Sequence, residues 1–319
     1  MGLFILEIPY PFIDPVLLEL PGPFALRWYG MMYLVGFAFG YFALTRLSEW
    51  GFLELPKAGV GDFIGLLVLG VLLGGRLGYI LFYGLGDFVR DPLLVLQIWR
   101  GGLSFHGGLI GVIITAALYA RGQGIRFPRL LDGLAAGVPV GIFSVRLANF
   151  VNGELYGRPV DPGLPWGVRF PTDPVALRLM GIAELPRRAQ ERAILAAGES
   201  GLWASVRDHV PVRHPSQIYE ALGEGLLVGA ILWGVLWTAR RRGTWPRPGV
   251  PAGVFLVGYG AVRTFIELFR QPDAQFRGPD DPLGTVLGPL TMGQTLSLAV
   301  VLAGIGVLAW AFGHDPEQG

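Results

Sequence analysis

The chain alternates between long apolar runs and short polar breaks. Runs of mostly apolar residues cover about 24–46, 60–83, 105–120, 131–151, 216–239, 250–269 and 290–312. Roughly 20 such residues cross a bilayer as one helix. The pattern predicts an all-α polytopic membrane protein of about seven transmembrane helices. The stretch 85–104, "LGDFVRDPLLVLQIWRGGLS", is too broken by charges, Pro and Gly to span, and is expected to lie on the membrane surface as an arm. Residues 152–213 hold turn signals ("DPGLPWGVRFPTDPVALRLMG") and then a polar–apolar helical pattern ("AELPRRAQERAILAAGES"). They predict a small exported head domain. The expected division is 1–151 for spans one to four with the arm, 152–213 for the head, and 214–319 for spans five to seven.

Basic residues in the short loops orient the chain. With the N-terminus outside, nine fall on the inner side: Arg46, Lys57, Arg121, Arg126, Arg129, Arg240, Arg241, Arg242 and Arg247. Four fall outside: Arg90, Arg100, Arg270 and Arg277. Cytoplasmic loops carry the excess of Lys and Arg, so the expectation is N-terminus out and C-terminus in. Composition agrees with a bilayer setting: 52% of residues are hydrophobic and 15% charged, against about 25% charged in soluble domains. Mean hydropathy is +0.51. A formal net charge of +1 gives no sign of nucleic-acid binding.

The chain has no cysteine. That excludes disulfides, cysteine-ligated metals and a thiol nucleophile of its own, so any thiol in its chemistry belongs to a substrate. The first twenty residues lack a basic n-region and carry Glu7 and Asp14. They read as a short amphipathic element at the membrane surface, not as a cleavable signal peptide. Many of the 49 glycines recur every four residues, as in Gly70/Gly74/Gly78 and Gly107/Gly111. Such faces let helix backbones approach closely in lipid. No clear internal repeat supports an inverted-repeat transporter.

Ionisable groups inside spans are costly and normally face a cavity or a partner. Tyr259, Arg263, Glu267 and Arg270, in "GYGAVRTFIELFRQPD", fall within an arc of about 80° on one helix face. Either Arg263 and Glu267 pair with each other while Arg270 snorkels, or the guanidiniums bind an anion such as phosphate. In "SVRLANFVNGELYGRP", Arg146 and Asn149 share a face, Asn152-Gly153 ends the helix, and Glu154, Tyr156 and Gly157 follow. Glu154 would neutralise Arg146. Arg27, Trp28 and Tyr29 sit at the start of the first span. Arg76 lies deep enough to need a partner, and "RHPSQIYE" places Pro215 at the first turn of a helix after His214. His106 opens the run "FHGGLIG", as either a structural or a catalytic group. No set of residues has metal-ligand spacing. His106, Arg146/Asn149 and Arg263/Arg270 all map to the outer half of the bilayer under this topology, which suggests one shared cavity.

Five stretches, "RWYGMMYLVG", "SFHGGLIG", "RLANFVNGELYG", "RHPSQIYEA" and "YGAVRTFIELFRQPD", together resemble the prolipoprotein diacylglyceryl transferase family. They run in the expected order from about 27 to 294. The resemblance implies an enzyme of the bacterial inner membrane with seven spans, a periplasmic arm and head, and no cofactor. It would transfer the diacylglyceryl group of phosphatidylglycerol to the lipobox cysteine of a prolipoprotein signal peptide. A thioether forms, glycerol phosphate leaves, and signal peptidase II acts afterwards. Carried over, the family's motifs fall on His106, Arg146 and Arg263 as catalytic residues. Tyr29, Asn149, Glu154, Gly157, Tyr259 and Glu267 fall at substrate-binding positions, and Arg270, on the helix face of Arg263, is a further substrate-binding candidate. One block departs: many members have glycine on both sides of the Arg-(Ile/Leu) pair, where this chain has Val145 and Ala148. The other functional class open to such a sequence is a transporter or channel for an anionic solute. A phosphatase or acyltransferase is disfavoured by the lack of an aspartate-rich metal site and of a His-x-x-x-x-Asp motif, since Gly111 stands at the aspartate position.

Overall fold

The computed structural model describes residues 7–21, 25–97, 102–272, 276, 281 and 283–313. Arg100, Arg277, the beginning of the expected N-terminal element and the C-terminal tail from 314 lie outside the described residues. The apolar runs form helices α1 (Trp28–Glu49), α2 (Val60–Tyr79), α4 (Phe105–Gln123), α5 (Phe127–Val151), α10 (Val228–Arg242), α11 (Val250–Ile266) and α12 (Met292–Gly313). Among the described residues six helices are long and apolar enough to cross a membrane, and α11 is a shorter apolar helix. The chain is thus a multi-pass, mostly helical membrane protein.

Two departures from the expected spans have local causes. After α2 a π-helical turn (Ile80–Gly84) leads straight into α3 (Leu85–Arg90), so the second span runs on into the expected arm as one 34-residue helix, Lys57–Arg90. The helix preceding α10 begins as α9 (Ser216–Glu220) and widens into a π-helical stretch, Ala221–Leu227. The segment 152–213 folds into three short helices, α6 (Pro174–Leu179), α7 (Arg187–Glu199) and α8 (Leu202–Val206). The N-terminal element takes extended form: β1 (Val16–Glu19) pairs antiparallel with β2 (Ala25–Arg27).

By contacts the chain forms two units. The first comprises Met1–Gly36, Pro139–Ile231 and Phe255–Ile305; the second comprises Phe37–Val138, Leu232–Val254 and Gly306–Gly319.

The second unit has a buried core that includes Leu44, Leu47, Phe63, Leu67, Leu130 and Leu236. Its helices α2 and α4 meet through glycine. A Cβ on Gly78 would lie 2.7 Å from the Cα of Gly107, and one on Gly74 would lie 2.9 Å from the Cα of Gly111. The repeated glycines therefore serve the backbone approach read from their spacing. Arg76, buried on α2, donates to the carbonyls of Leu94, Val95 and Gly102, so the partner its depth demanded is the backbone of the arm. Asp132 accepts from the amides of Gly249 (2.9 Å) and Ala252 (3.0 Å) and so caps α11.

In the first unit helices α6, α7 and α8 close over Ala176, Met180, Ile194, Ala197 and Val210. A buried ion pair, Arg213 to Asp173 at 2.5 Å, ties α6 to the strand-like run leading into α9. Tyr10, Val168 and Phe170 form a second small core beside it.

Candidate active site

The site begins with two glutamates in an apolar stretch. Glu220 ends α9 and Glu224 lies within the π-helical turn that follows, both fully buried. Glycines on either side of Glu224 bring neighbouring backbone close. A Cβ on Gly225 would sit 2.9 Å from the Cα and N of Phe143 on α5, and one on Gly223 would sit 2.7 Å from Val262 on α11. The turn is thereby wedged between α5 and α11, and its carboxylates meet the arginines of both.

Glu220 collects three of these. Its Oε2 lies 3.0 Å from Arg146 Nε. Its Oε1 accepts from Arg270 Nη1 at 2.9 Å and from Arg263 Nη1. Arg263 also pairs through Nη2 with Glu267 Oε2 at 2.8 Å, and Glu267 accepts from the Thr291 hydroxyl at 3.1 Å. The network continues the other way. Arg146 Nη1 faces Asn149 Oδ1 at 3.5 Å, and Asn149 Nδ2 donates to Glu154 Oε1 at 2.9 Å. Asn152 donates to the same oxygen at 3.0 Å. Tyr259 and Tyr29 both lie within electrostatic reach of Arg146.

The layering of this network decides what it can do. Glu220 is sealed, with 0% of its side chain exposed, whereas the arginine side chains keep 20% (Arg146), 12% (Arg263) and 12% (Arg270). The carboxylates are thus more deeply buried than the arginine side chains that address them. Buried carboxylates hold the planar forks in fixed directions, and guanidinium forks match the geometry of phosphate oxygens. Three guanidiniums presented this way suit a phosphate oxygen cluster.

Loop 152–159 is anchored to the start of α9. Ser216 Oγ donates to Leu155 O at 3.0 Å and Gln217 Nε2 to Glu154 O at 2.7 Å. Leu155 is held at φ +59°, a left-handed conformation costly for a branched side chain. Gly157 sits where the backbone of Phe269 and of His214 converge; a Cβ there would meet Phe269 O and lie 2.7 Å from His214 Cβ.

The family model described as prolipoprotein diacylglyceryl transferase matches residues 15–310. The phosphatidylglycerol–prolipoprotein diacylglyceryl transferases of Shigella boydii serotype 4, Escherichia coli O1:K1 and Escherichia coli K12 are each 40% identical to this chain over 312 residues. Those residues are 97% of this chain and 97% of each relative. The chain belongs to the prolipoprotein diacylglyceryl transferase family.

Within this prolipoprotein diacylglyceryl transferase family member, the site residues read from sequence fall in the first unit, His106 excepted. His106 lies in the second unit, exposed at the first turn of α4, with its ring edge-on to Phe105 at 5.7 Å. Arg263 and Glu267 form the ion pair that was one of the two arrangements open from their spacing. Arg270 has left the helix, which ends at Ile266, yet its side chain returns to Glu220. Glu154 differs from expectation: it is held by Asn149 and Asn152 and lies 3.6 Å from Arg187, while Arg146 turns to Glu220. Ala148, where many members have glycine, is buried at 2% exposure, so the added methyl is accommodated. Sequence reading passes over Glu220 and Glu224. The available signal was two glutamates four residues apart in the apolar run "YEALGEGLL".

Proposed function

We propose that this chain transfers the diacylglyceryl group of phosphatidylglycerol to the lipobox cysteine thiol of a prolipoprotein, the first step of bacterial lipoprotein maturation. The observation that carries this reading is the trio Arg146, Arg263 and Arg270, gathered on the sealed Glu220 carboxylate while each arginine side chain keeps some exposure. In the reaction the thiolate attacks the glyceryl carbon and the carbon–oxygen bond to phosphate breaks. A thioether forms, and glycerol phosphate leaves with the bonding electron pair. Negative charge accumulates on the departing phosphate, where positioned guanidiniums lower the barrier. Arg146 and Arg263 take that role, with Arg270 as a further headgroup contact. Asn149 and Tyr259 supply neutral hydrogen bonds, and Tyr29, Glu154, Gly157 and Glu267 shape the substrate site.

A free thiol has a pKa of about 8.5, so its proton must be removed or its thiolate stabilised. His106 is assigned to this step or to headgroup orientation; His106→Gln separates the two, since retained turnover removes it from proton transfer. The reading places the chain in the bacterial inner membrane with the N-terminus and the 152–213 head on the periplasmic side.

The deciding experiment incubates the purified protein with phosphatidylglycerol and a lipobox peptide and weighs the peptide by mass spectrometry. A diacylglyceryl increment, lost in Arg263→Ala while that variant still inserts, is the expected result. No increment, with flux of an anionic solute across vesicles instead, overturns it in favour of a transporter.

A further inference from the structure

We infer that the C-terminal ends of α1 and α10 form a binding site for the headgroup of an anionic phospholipid in the adjoining leaflet. The site is built from the second unit alone and shares no residue with the arginine cluster around Glu220. It goes beyond the transfer reaction and does not rest on it.

Helix geometry places the pieces. Trp233, Trp237 and Arg241 follow one another at four-residue steps, so they share one face at the end of α10. Phe39, Phe42 and Arg46 lie likewise along the last turns of α1, and Trp50 follows directly after it. Rings join the two helix ends. Trp50 packs edge-on against Trp233 at 6.0 Å and Trp237 at 5.9 Å between centroids. Phe39 continues the ladder, 6.2 Å from Trp233 and 5.8 Å from Phe42. Three guanidiniums sit over these rings: Arg240 at 4.3 Å from the Trp50 centroid, Arg241 at 5.2 Å from Trp237, and Arg46 at 5.6 Å from Phe42. A guanidinium within about 6 Å of a ring face is attracted to it, and the contact limits where its fork can point.

Counter-charge is short at this ladder. Arg46 lies 3.3 Å from Glu49, but Glu49 also takes Lys57 at 2.7 Å. No ion pair joins Arg240, Arg241 or Arg242 to a carboxylate among the described residues. Arginines that serve only to orient a chain in the membrane need no such fixed directions. A phosphate supplies what is missing, because its oxygens accept from guanidinium forks. The apolar rings select a lipid as its source. Phe42 and Trp237 stay 49% and 46% exposed at the ends of their spans, where the glycerol and upper acyl chains of a lipid would cover them. A soluble polyanion would leave that ring surface wet. A zwitterionic headgroup brings its own cation and so gains less from the arginines.

The test uses the full chain in phosphatidylcholine nanodiscs and a photoreactive phosphatidic acid with its diazirine near the glycerol. Peptide mass spectrometry reads labelling of residues 37–50 and 233–242 as the probe is titrated, which isolates this site from any other lipid site. Wild-type protein should label saturably, and much less with the matching phosphatidylcholine probe. The double variant Arg240→Gln/Arg241→Gln should raise the half-saturating concentration about tenfold or more. Arg242→Gln removes the same charge as either single change but from a side chain with no ring contact among the described residues, and should alter it far less. Trp237→Leu keeps every charge and should still weaken labelling. If the double variant does not fold, Arg241→Gln compared with Arg242→Gln decides. Equal labelling by the two probes, equal effects of Arg241→Gln and Arg242→Gln, or an unchanged curve in Trp237→Leu overturns the proposal in favour of diffuse surface charge. Displacement of the lipid by millimolar inorganic phosphate overturns it in favour of a soluble anion.

Discussion

Replacing Glu220 by Gln keeps the shape of the side chain and removes one buried charge that three arginines share. Arg146 Nε at 3.0 Å, Arg270 Nη1 at 2.9 Å and Arg263 Nη1 all address this carboxylate. Each hydrogen bond to a charged group contributes about 1.5–3 kcal/mol. An amide offers one oxygen acceptor, and its NH2 end would face guanidinium donors. At least one of the three contacts is therefore lost and one becomes repulsive, for a cost of about 3–5 kcal/mol, the range for breaking a buried ion pair. Because the same contacts aim the guanidiniums, about 3–4 kcal/mol of transition-state stabilisation should go with them, or two to three decades in kcat/KM. Lipidation of a lipobox peptide by purified variant, followed by mass spectrometry over a range of phosphatidylglycerol, measures this. Net charge alone makes the opposite forecast, since the variant site is more positive and should attract an anionic lipid better. Wild-type kcat in a properly inserted Glu220→Gln protein would refute the argument that this carboxylate aims the arginines.

Gly293 opens α12 with its Cα against the Glu267 carboxylate, and a Cβ there would lie 2.6 Å from Oε2. Gly293→Ala should displace that carboxylate from Arg263 and cut turnover about tenfold with little loss of expression; unchanged turnover would show that Glu267 need not be held in place. Asp173→Ala breaks the buried pair with Arg213 and the cap on α6, where Asp173 accepts from Val175 N at 2.8 Å. A cost of about 3–5 kcal/mol is expected, read as a lower thermal midpoint and faster proteolysis of the 152–213 segment. Burial holds the His214 imidazole below its usual pKa. The folded state therefore favours the neutral ring, and its stability should fall as pH drops from about 6.5 through the lower folded value. His214→Phe keeps a ring against Phe269 (5.1 Å in wild type) and should flatten that acid slope in thermal melts. Parallel slopes would refute it.

The fold class was legible because a bilayer imposes its constraints locally. A span needs a run of apolar residues, and each helix satisfies its own backbone, so the positions of α1, α2, α4, α5, α10, α11 and α12 follow from hydropathy without any partner. The Gly70/Gly74/Gly78 and Gly107/Gly111 spacings likewise announced a close helix pair, and α2 meets α4 through those positions. Less was legible where conformation depends on packing. The π-helical turns at Ile80–Gly84 and Ala221–Leu227 leave no mark in hydropathy, and the second helix consequently runs on to Arg90.

The sequence by itself determined which polar groups must find partners: Arg76, Arg146, Arg263 and Arg270 are too costly near lipid to remain alone. It also put Arg263 and Glu267 within reach of each other, because residues four apart on a helix are neighbours by geometry, and the structure takes that pairing. Only the tertiary structure decided who the other partners are. Arg146 turned from Glu154 in its own loop to Glu220, which lies 74 residues further along the chain, and Arg76 took the carbonyls of the arm. The reason is that charge demands compensation but does not specify its source. That choice depends on which backbones approach, and here the glycine-flanked turn carrying Glu224 put two buried carboxylates between α5 and α11.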